Sequence, residues 1–262
     1  MRILISLFIL FFTTSSFAVT FEGKFIQGSF ILGKTDPASE VFIDKKKIKV
    51  SKDGYFVFGL GRDRKNDVVI KVNEKKIIKK VFKREYKIQK IDGLEEKKVT
   101  PPKEFYERIK RENKWIGQAR LIDSDLIFFK KKFIIPVENA IITGVYGSQR
   151  ILNGKPKWPH YGLDFAAQEG TKIKAMLDGV VTLVEVDLFY TGGTLIFDHG
   201  HGISTLYMHM EKILVEKGQK VKQGDIIGTV GATGRATGAH LDVRLNWFDV
   251  RLDPATVLDI KK

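Results

Sequence analysis

Residues 240–245, His240-Leu241-Asp242-Val243-Arg244-Leu245, alternate polar and apolar side chains with a period of two. That is the period of a half-buried β-strand, whose successive side chains point to opposite faces. Leu241, Val243 and Leu245 then face a core, while His240, Asp242 and Arg244 project together from the other side. The strand reading extends to Trp247 and repeats upstream in Ala140 to Val145, Gly179 to Val186, Thr194 to Phe197, Ile203 to Met208 and Asp225 to Val230. Glycines punctuate the junctions, among them Gly147, Gly162, Gly170, Gly218, Gly224 and Gly238. Short strands broken by turn residues at this density predict a compact antiparallel β architecture from residue 128 onward. Polar side chains from several strands can therefore converge in one groove.

Outward from His240 and Asp242, a second histidine–aspartate pair stands in His160-Tyr161-Gly162-Leu163-Asp164, where Pro159 and Gly162 favour a loop bending into a strand. Tyr207-Met208-His209 places another histidine at the end of a strand-like run. A metal-dependent hydrolase needs two or three nitrogen or oxygen ligands, an open coordination position and a nearby base, and these residue types supply them. Any one of these histidines, taken alone, is more often a hydrogen-bonded structural residue than a ligand. His199-Gly200-His201-Gly202 has an HxH spacing but is interleaved with glycine, and it reads as a turn. Asp242 has two readings: a metal ligand, or the salt-bridge partner of Arg244 on the same strand face, which would withdraw the carboxylate from a metal shell.

The 262 residues carry 45 Lys and Arg against 31 Asp and Glu, a net charge of +14, and no cysteine. Without cysteine there is neither a disulfide scaffold nor a thiolate site, so any metal must be held by imidazole and carboxylate. The positive balance suits polyanionic surroundings, but the lysines are scattered, as strand edges protected from aggregation would have them. At the N-terminus, Arg2, the apolar run Ile3 to Phe12 and the small-residue end Ser16-Phe17-Ala18 read as a signal peptide cleaved after Ala18. The expected chain is exported to the periplasm or cell envelope, keeps no stable membrane span and does not act on nucleic acid.

Four segments follow: 1–18, the signal peptide; 19–98, a small accessory β module read as a sandwich; 99–127, a linker and bridging helix; and 128–262, the histidine-bearing domain. In the accessory module Lys47 to Val50 and Tyr55 to Phe58 flank Asp53-Gly54, a hairpin signal. Val68 to Val72 and the apolar run from Ile77 flank Asn73-Glu74 as a second one. The segment contains no histidine and nothing catalytic in appearance. After Pro101-Pro102, Lys103 to about Arg120 reads as a helix capped by Thr100, with Phe105, Ile109 and Ile116 near one face.

The ordered text Gly147-Ser148-Gln149-Arg150, His160-x-x-x-Asp164, Gly170-Thr171, Asp178-Gly179-Val180, Asp198-His199-Gly200, Tyr207-x-His209, Gly218-x-x-Val221-x-x-Gly224 and Thr233 to His240 resembles the lysostaphin-like, LytM-type zinc metallopeptidases that cleave peptidoglycan peptides. The resemblance runs from Phe133 to Trp247. It implies an antiparallel, barrel-sandwich-like β domain, and a mainly β chain overall. It further implies that His160 and Asp164 bind zinc, that His209 and His240 form the catalytic pair, and that peptidoglycan peptides are the substrate. Asp242 departs from the pattern, standing where the family's HxH motif has a second histidine. A His160, Asp164 and Asp242 site carries two carboxylates, which makes a weaker Lewis acid and brings the harder Mn2+ within reach beside Zn2+. The expected function is an exported metal-dependent endopeptidase acting on peptidoglycan cross-links or stem peptides. The alternative is an inactive LytM-type domain that binds cell wall or activates another hydrolase. A third reading, a lipoyl- or biotin-carrier module, rests only on barrel-like turns around Gly218 to Gly224. The oligomeric state is not encoded in these motifs.

Overall fold

The computed structural model describes residues 18–260; the segment read as a signal peptide falls almost wholly outside them. Among the described residues no helix is long and apolar enough to cross a membrane.

The chain is mainly β, as the alternation predicts. Its N-terminal part is two antiparallel sheets laid against each other. One contains Thr20–Glu22, Phe30–Lys34 and Tyr55–Gly59; the other orders Lys46–Ile48, Val41–Ile43, Val68–Val72 and Lys75–Lys79. Ile31, Phe56 and Phe58 from the first sheet and Val41, Val68 and Ile70 from the second are buried in the shared core. The hairpin around Asn73 forms, with Val72 opposite Lys75 and Asn73 in the left-handed region at φ 51°. The hairpin expected around Asp53-Gly54 does not. Lys46–Ile48 pairs with Val41–Ile43, whereas Tyr55–Gly59 pairs with Phe30–Lys34, so this turn carries the chain from one sheet to the other. Asp-Gly encodes a local reversal, and which sheet receives the next strand is decided by packing at longer range.

The C-terminal domain is a ten-stranded antiparallel sheet. Its centre runs Gly179–Leu188, Gly192–Gly200, Ile203–Ile213, His240–Trp247 and Leu163–Ala166. A further strand, Ile88–Ile91, pairs in parallel with Gln149–Leu152 and ties the chain before Pro101 to this domain. The two β regions share one buried core, in which Phe30 meets Phe133 edge to face, and Leu252 packs so close to Gly59 that a Cβ there would sit 2.6 Å away. Tyr146 donates to the Arg251 carbonyl at 2.8 Å, and Arg84 pairs with buried Asp253 at 2.7 Å.

The expected helix forms as a 3-10 turn, Lys103–Phe105, continuing into the α-helix Tyr106–Arg120. Thr100 does not cap it; its hydroxyl instead accepts from Lys155 at 2.9 Å. Glu112, buried in mid-helix, accepts from Arg108 at 2.6 Å and from the Phe189 backbone N–H at 2.8 Å. Ile116 and Ala119 pack on Leu183, Ile196 and Leu206 of the main sheet, which brings Arg120 to the mouth of the groove.

Candidate metal centre

Three adjacent strands build the site. Asp164 lies directly across from Asp242, Ala166 from His240, and Met208 from Asp242 on the other side. Cross-strand partners share a face, so the two aspartates point to one spot. His160 enters from the loop before Leu163–Ala166. Ligand atoms of His160, Asp164 and Asp242 all lie within 4.8 Å of one another, and all three residues are buried.

The space is shaped by absent side chains. A Cβ on Gly144 would stand 2.0 Å from Asp164 Oδ2, and one on Gly162 2.0 Å from Asp242 Oδ1. Each carboxylate is held by an arginine: Arg150 Nη2 donates to Asp164 Oδ2 at 2.7 Å, and Arg244 Nη2 to Asp242 Oδ2 at 3.0 Å. Toward the centre, His160 Nε2 lies 3.0 Å from Asp164 Oδ1 and 3.3 Å from Asp242 Oδ2, close enough to pair but misdirected for hydrogen bonding.

This geometry calls for a cation. The Val145 carbonyl lies 3.3 Å from His160 Nδ1 and can only accept, so Nδ1 carries a proton and Nε2 faces two carboxylate oxygens, offering them only a lone pair when the ring is neutral. Three buried acceptors facing one point are costly without a proton or a metal ion between them. The electrostatics agree. Burial works against charge on His160, but the facing Asp242 and Asp164 outweigh it and raise its pKa. Burial likewise opposes ionisation of Asp242, yet Arg244 and His160 hold it well below the usual carboxylate range. Asp164 is also lowered, with His160 and Arg150 overcoming burial and its neighbour Asp242. Both carboxylates are thus ionised, and the donor set fits a divalent cation.

The two sequence readings of Asp242 are not exclusive. Its Oδ2 faces His160 and Arg244 together, and a carboxylate oxygen has lone pairs for both an N–H and a cation. Charge explains how an aspartate can stand at this position: the Asp242–Arg244 pair is neutral overall, as an imidazole is.

His209 and His240 lie beside the centre with ring centroids 4.7 Å apart. His209 Nδ1 is 2.8 Å from the Thr233 carbonyl and His240 Nδ1 2.8 Å from the Gly238 carbonyl, so each keeps Nε2 free. His209 is in the left-handed region at φ 64°, rare for a residue with a β-carbon, and its N–H is anchored to the Thr191 carbonyl at 2.8 Å. Burial, with His240 adding to it, presses its pKa down to about 4. His201 sits in a turn at φ 50°, as read from the glycines, but His199 does not. It lies inside the strand Gly192–Gly200, fully buried, bonded to the Asp178 carbonyl at 2.7 Å and Thr205 Oγ1 at 2.8 Å, and serves structure.

A cavity of about 910 Å3 opens on His160, His209 and Asp242, and a second of about 310 Å3 on Asp164 and His240. Arg150 and Arg235 border both. Arg120, Arg235 and Arg251, which line the larger cavity, were not singled out by sequence reasoning. Each sits on a different element, and no spacing rule connects them.

Residues 158–254 match the profile of Peptidase family M23. Peptidoglycan DD-endopeptidase ShyA of Vibrio cholerae is 46% identical over 87 residues, 33% of this chain and 20% of that protein. ShyC of the same organism, also a peptidoglycan DD-endopeptidase, is 35% identical over 131 residues, 49% of this chain and 30% of its own length. This chain therefore spans less than a third of either relative. A crystal structure of a putative peptidase M23 from Pseudomonas aeruginosa is 27% identical and superposes over 89% of this chain and 95% of that one with a TM-score of 0.68. The likeness thus extends beyond the C-terminal domain into the N-terminal β region. Residues 158–254 of this chain thus form a Peptidase family M23 domain of the LytM type.

Proposed function

We propose that this protein is an exported, zinc-dependent endopeptidase that hydrolyses peptide bonds of peptidoglycan cross-links or stem peptides. The observation that carries the reading is the convergence of His160, Asp164 and Asp242 on one point beside the His209–His240 pair. The relatives named peptidoglycan DD-endopeptidase support the substrate class.

A zinc ion held by His160, Asp164 and Asp242 would supply a Lewis acid that polarises the scissile carbonyl and acidifies water. The chain's own groups supply the rest. Arg150 and Arg244 fix the carboxylates and offset their charge. His209 and His240, each with Nδ1 committed to a carbonyl, present Nε2 for proton transfer and for hydrogen bonding to the developing oxyanion. The strained backbone of His209 holds that nitrogen in place. The groove on both sides of the centre admits an extended peptide.

The test is digestion of purified peptidoglycan by the chain lacking residues 1–18. New amino termini should appear, stop with a chelator and return with zinc. Peptidoglycan left intact under all metal conditions, with binding retained, would replace this reading by the inactive cell-wall-binding one. Export is tested separately, by sequencing the amino terminus of the mature protein for cleavage after Ala18.

A further inference from the structure

The larger cavity holds more positive charge than the metal centre uses. Six arginines and Lys157 line it, against three aspartates. Of those aspartates, Asp242 belongs to the centre, Asp63 pairs with Arg62 at 2.5 Å, and Asp249 acts on Arg120 electrostatically without forming an ion pair with it. Arg150 and Arg244 hold the ligand carboxylates, but Arg120, Arg235 and Arg251 pair with no carboxylate among the described residues. Arg120 Nε and Arg244 Nε are buried without any hydrogen-bond partner. Arg251 lies over the Tyr161 ring at 5.1 Å, and Arg235 over the Tyr190 ring at 4.6 Å. Burial and then the neighbouring Arg244 and Arg120 push the Arg251 pKa down to about 9, and Arg120 is lowered by burial and by Arg244, with Asp249 offsetting part of the fall. Half-buried guanidiniums that repel one another and leave donors unused are costly to fold, and an anion relieves that cost.

We propose that Arg120 and Arg251 form a carboxylate-binding subsite that selects peptides carrying a free carboxylate on one side of the scissile bond. The proposal rests on the peptidase reading and names the substrate feature that reading leaves open. Strand geometry sets the distance. Arg244 is two residues beyond Asp242 on one face, and Arg251 pairs across from Asn246, two residues further. At roughly 3.3 Å per residue Arg251 stands about 13 Å along the strand from Asp242, a span of about four residues of an extended peptide. Tyr161, Leu206 and Met208 also line the cavity and offer apolar contact to the intervening side chains. A carboxylate there meets planar guanidinium donors suited to bidentate binding.

The experiment is calorimetric titration of the zinc-loaded protein with an N-acetylated pentapeptide of cell-wall composition, as free acid and as carboxyl-terminal amide. Amidation removes the charge and little else. In the wild type the acid should bind at least tenfold tighter than the amide. In Arg251→Gln and in Arg120→Gln, which sit on separate elements, the ratio should fall toward one, and Arg251→Lys should keep part of it. Equal affinity for acid and amide in the wild type overturns the proposal, as does an unchanged ratio in both folded glutamine variants. Because binding is read, the outcomes separate. A protein that discriminates but never cleaves retains the subsite without the peptidase reading. One that cleaves without discriminating retains the peptidase and loses the subsite.

Discussion

Asp242 and Arg244 carry the departure from the family's histidine ligand. An aspartate in place of an imidazole adds a negative charge and weakens the metal as an electrophile, but the Arg244 guanidinium, 3.0 Å from Asp242 Oδ2, cancels that charge. Removing the arginine while leaving the aspartate exposes the imbalance. In Arg244→Gln, metal should remain bound near stoichiometry while kcat falls about 10–100-fold, the usual effect of losing an outer-shell partner. Metal lost along with activity would instead make Arg244 a support for the fold of the site. A second residue-scale test uses Gly162. In Gly162→Ala the new methyl would overlap Asp242 Oδ1 and press on the Val243 carbonyl oxygen at 2.7 Å, so metal affinity should drop at least tenfold, together with a lower thermal midpoint. Unchanged affinity would mean that Asp242 is not confined as described.

At the scale of elements, the strands were legible and their partners less so. His240–Trp247 follows its own alternation, and the loop that bears His160 follows Pro159 and Gly162. The strand around His199 runs to Gly200, past the expected end at Phe197, because its buried hydrogen bonds to Asp178 and Thr205 hold a histidine in the sheet where glycine signals a turn. The misplaced hairpin at Asp53-Gly54 and the parallel pairing of Ile88–Ile91 with Gln149–Leu152 have one origin. Both depend on contacts far apart in sequence, which local periodicity does not contain. The same applies to Arg120, Arg235 and Arg251, assembled from a helix, a loop and a strand.

Two buried histidines in these strands also set the acid response of the metal-free protein. Burial takes both His199 and His209 down to about 4, from an unfolded value near 6.5. Between those values the unfolded chain binds the extra protons, so their stabilising contribution is complete above pH 6.5 and is lost as pH falls toward 4. Each should cost about 2 kcal/mol by pH 5. His160, whose pKa is raised, works in the opposite direction and offsets part of the loss. Urea unfolding at pH 7, 6 and 5 should show stability falling with pH, and His199→Gln should flatten the fall. An unaltered slope in that variant would show that His199 does not titrate on unfolding.

For the whole molecule, the N-terminal sandwich and the LytM-type domain share a core through Phe30, Phe133 and Leu252. The helix Tyr106–Arg120 spans from Pro102 to the groove, contributing Arg120 at its end. The first β region therefore positions the second and supplies Gly61 and Arg62 to the cavity wall. Of the positive charge scattered along the sequence, six arginines and Lys157 gather in the cavity beside the metal centre. The proposed peptidase activity requires that His160, Asp164 and Asp242 hold a metal ion. The most direct test is the metal content of the purified mature chain beside Asp242→Ala, followed by peptidoglycan digestion with both. One equivalent of zinc and cleavage in the wild type, with both lost in the variant, is the predicted result. Zinc and cleavage undiminished in Asp242→Ala would contradict it, leaving Asp242 as the salt-bridge partner of Arg244 alone.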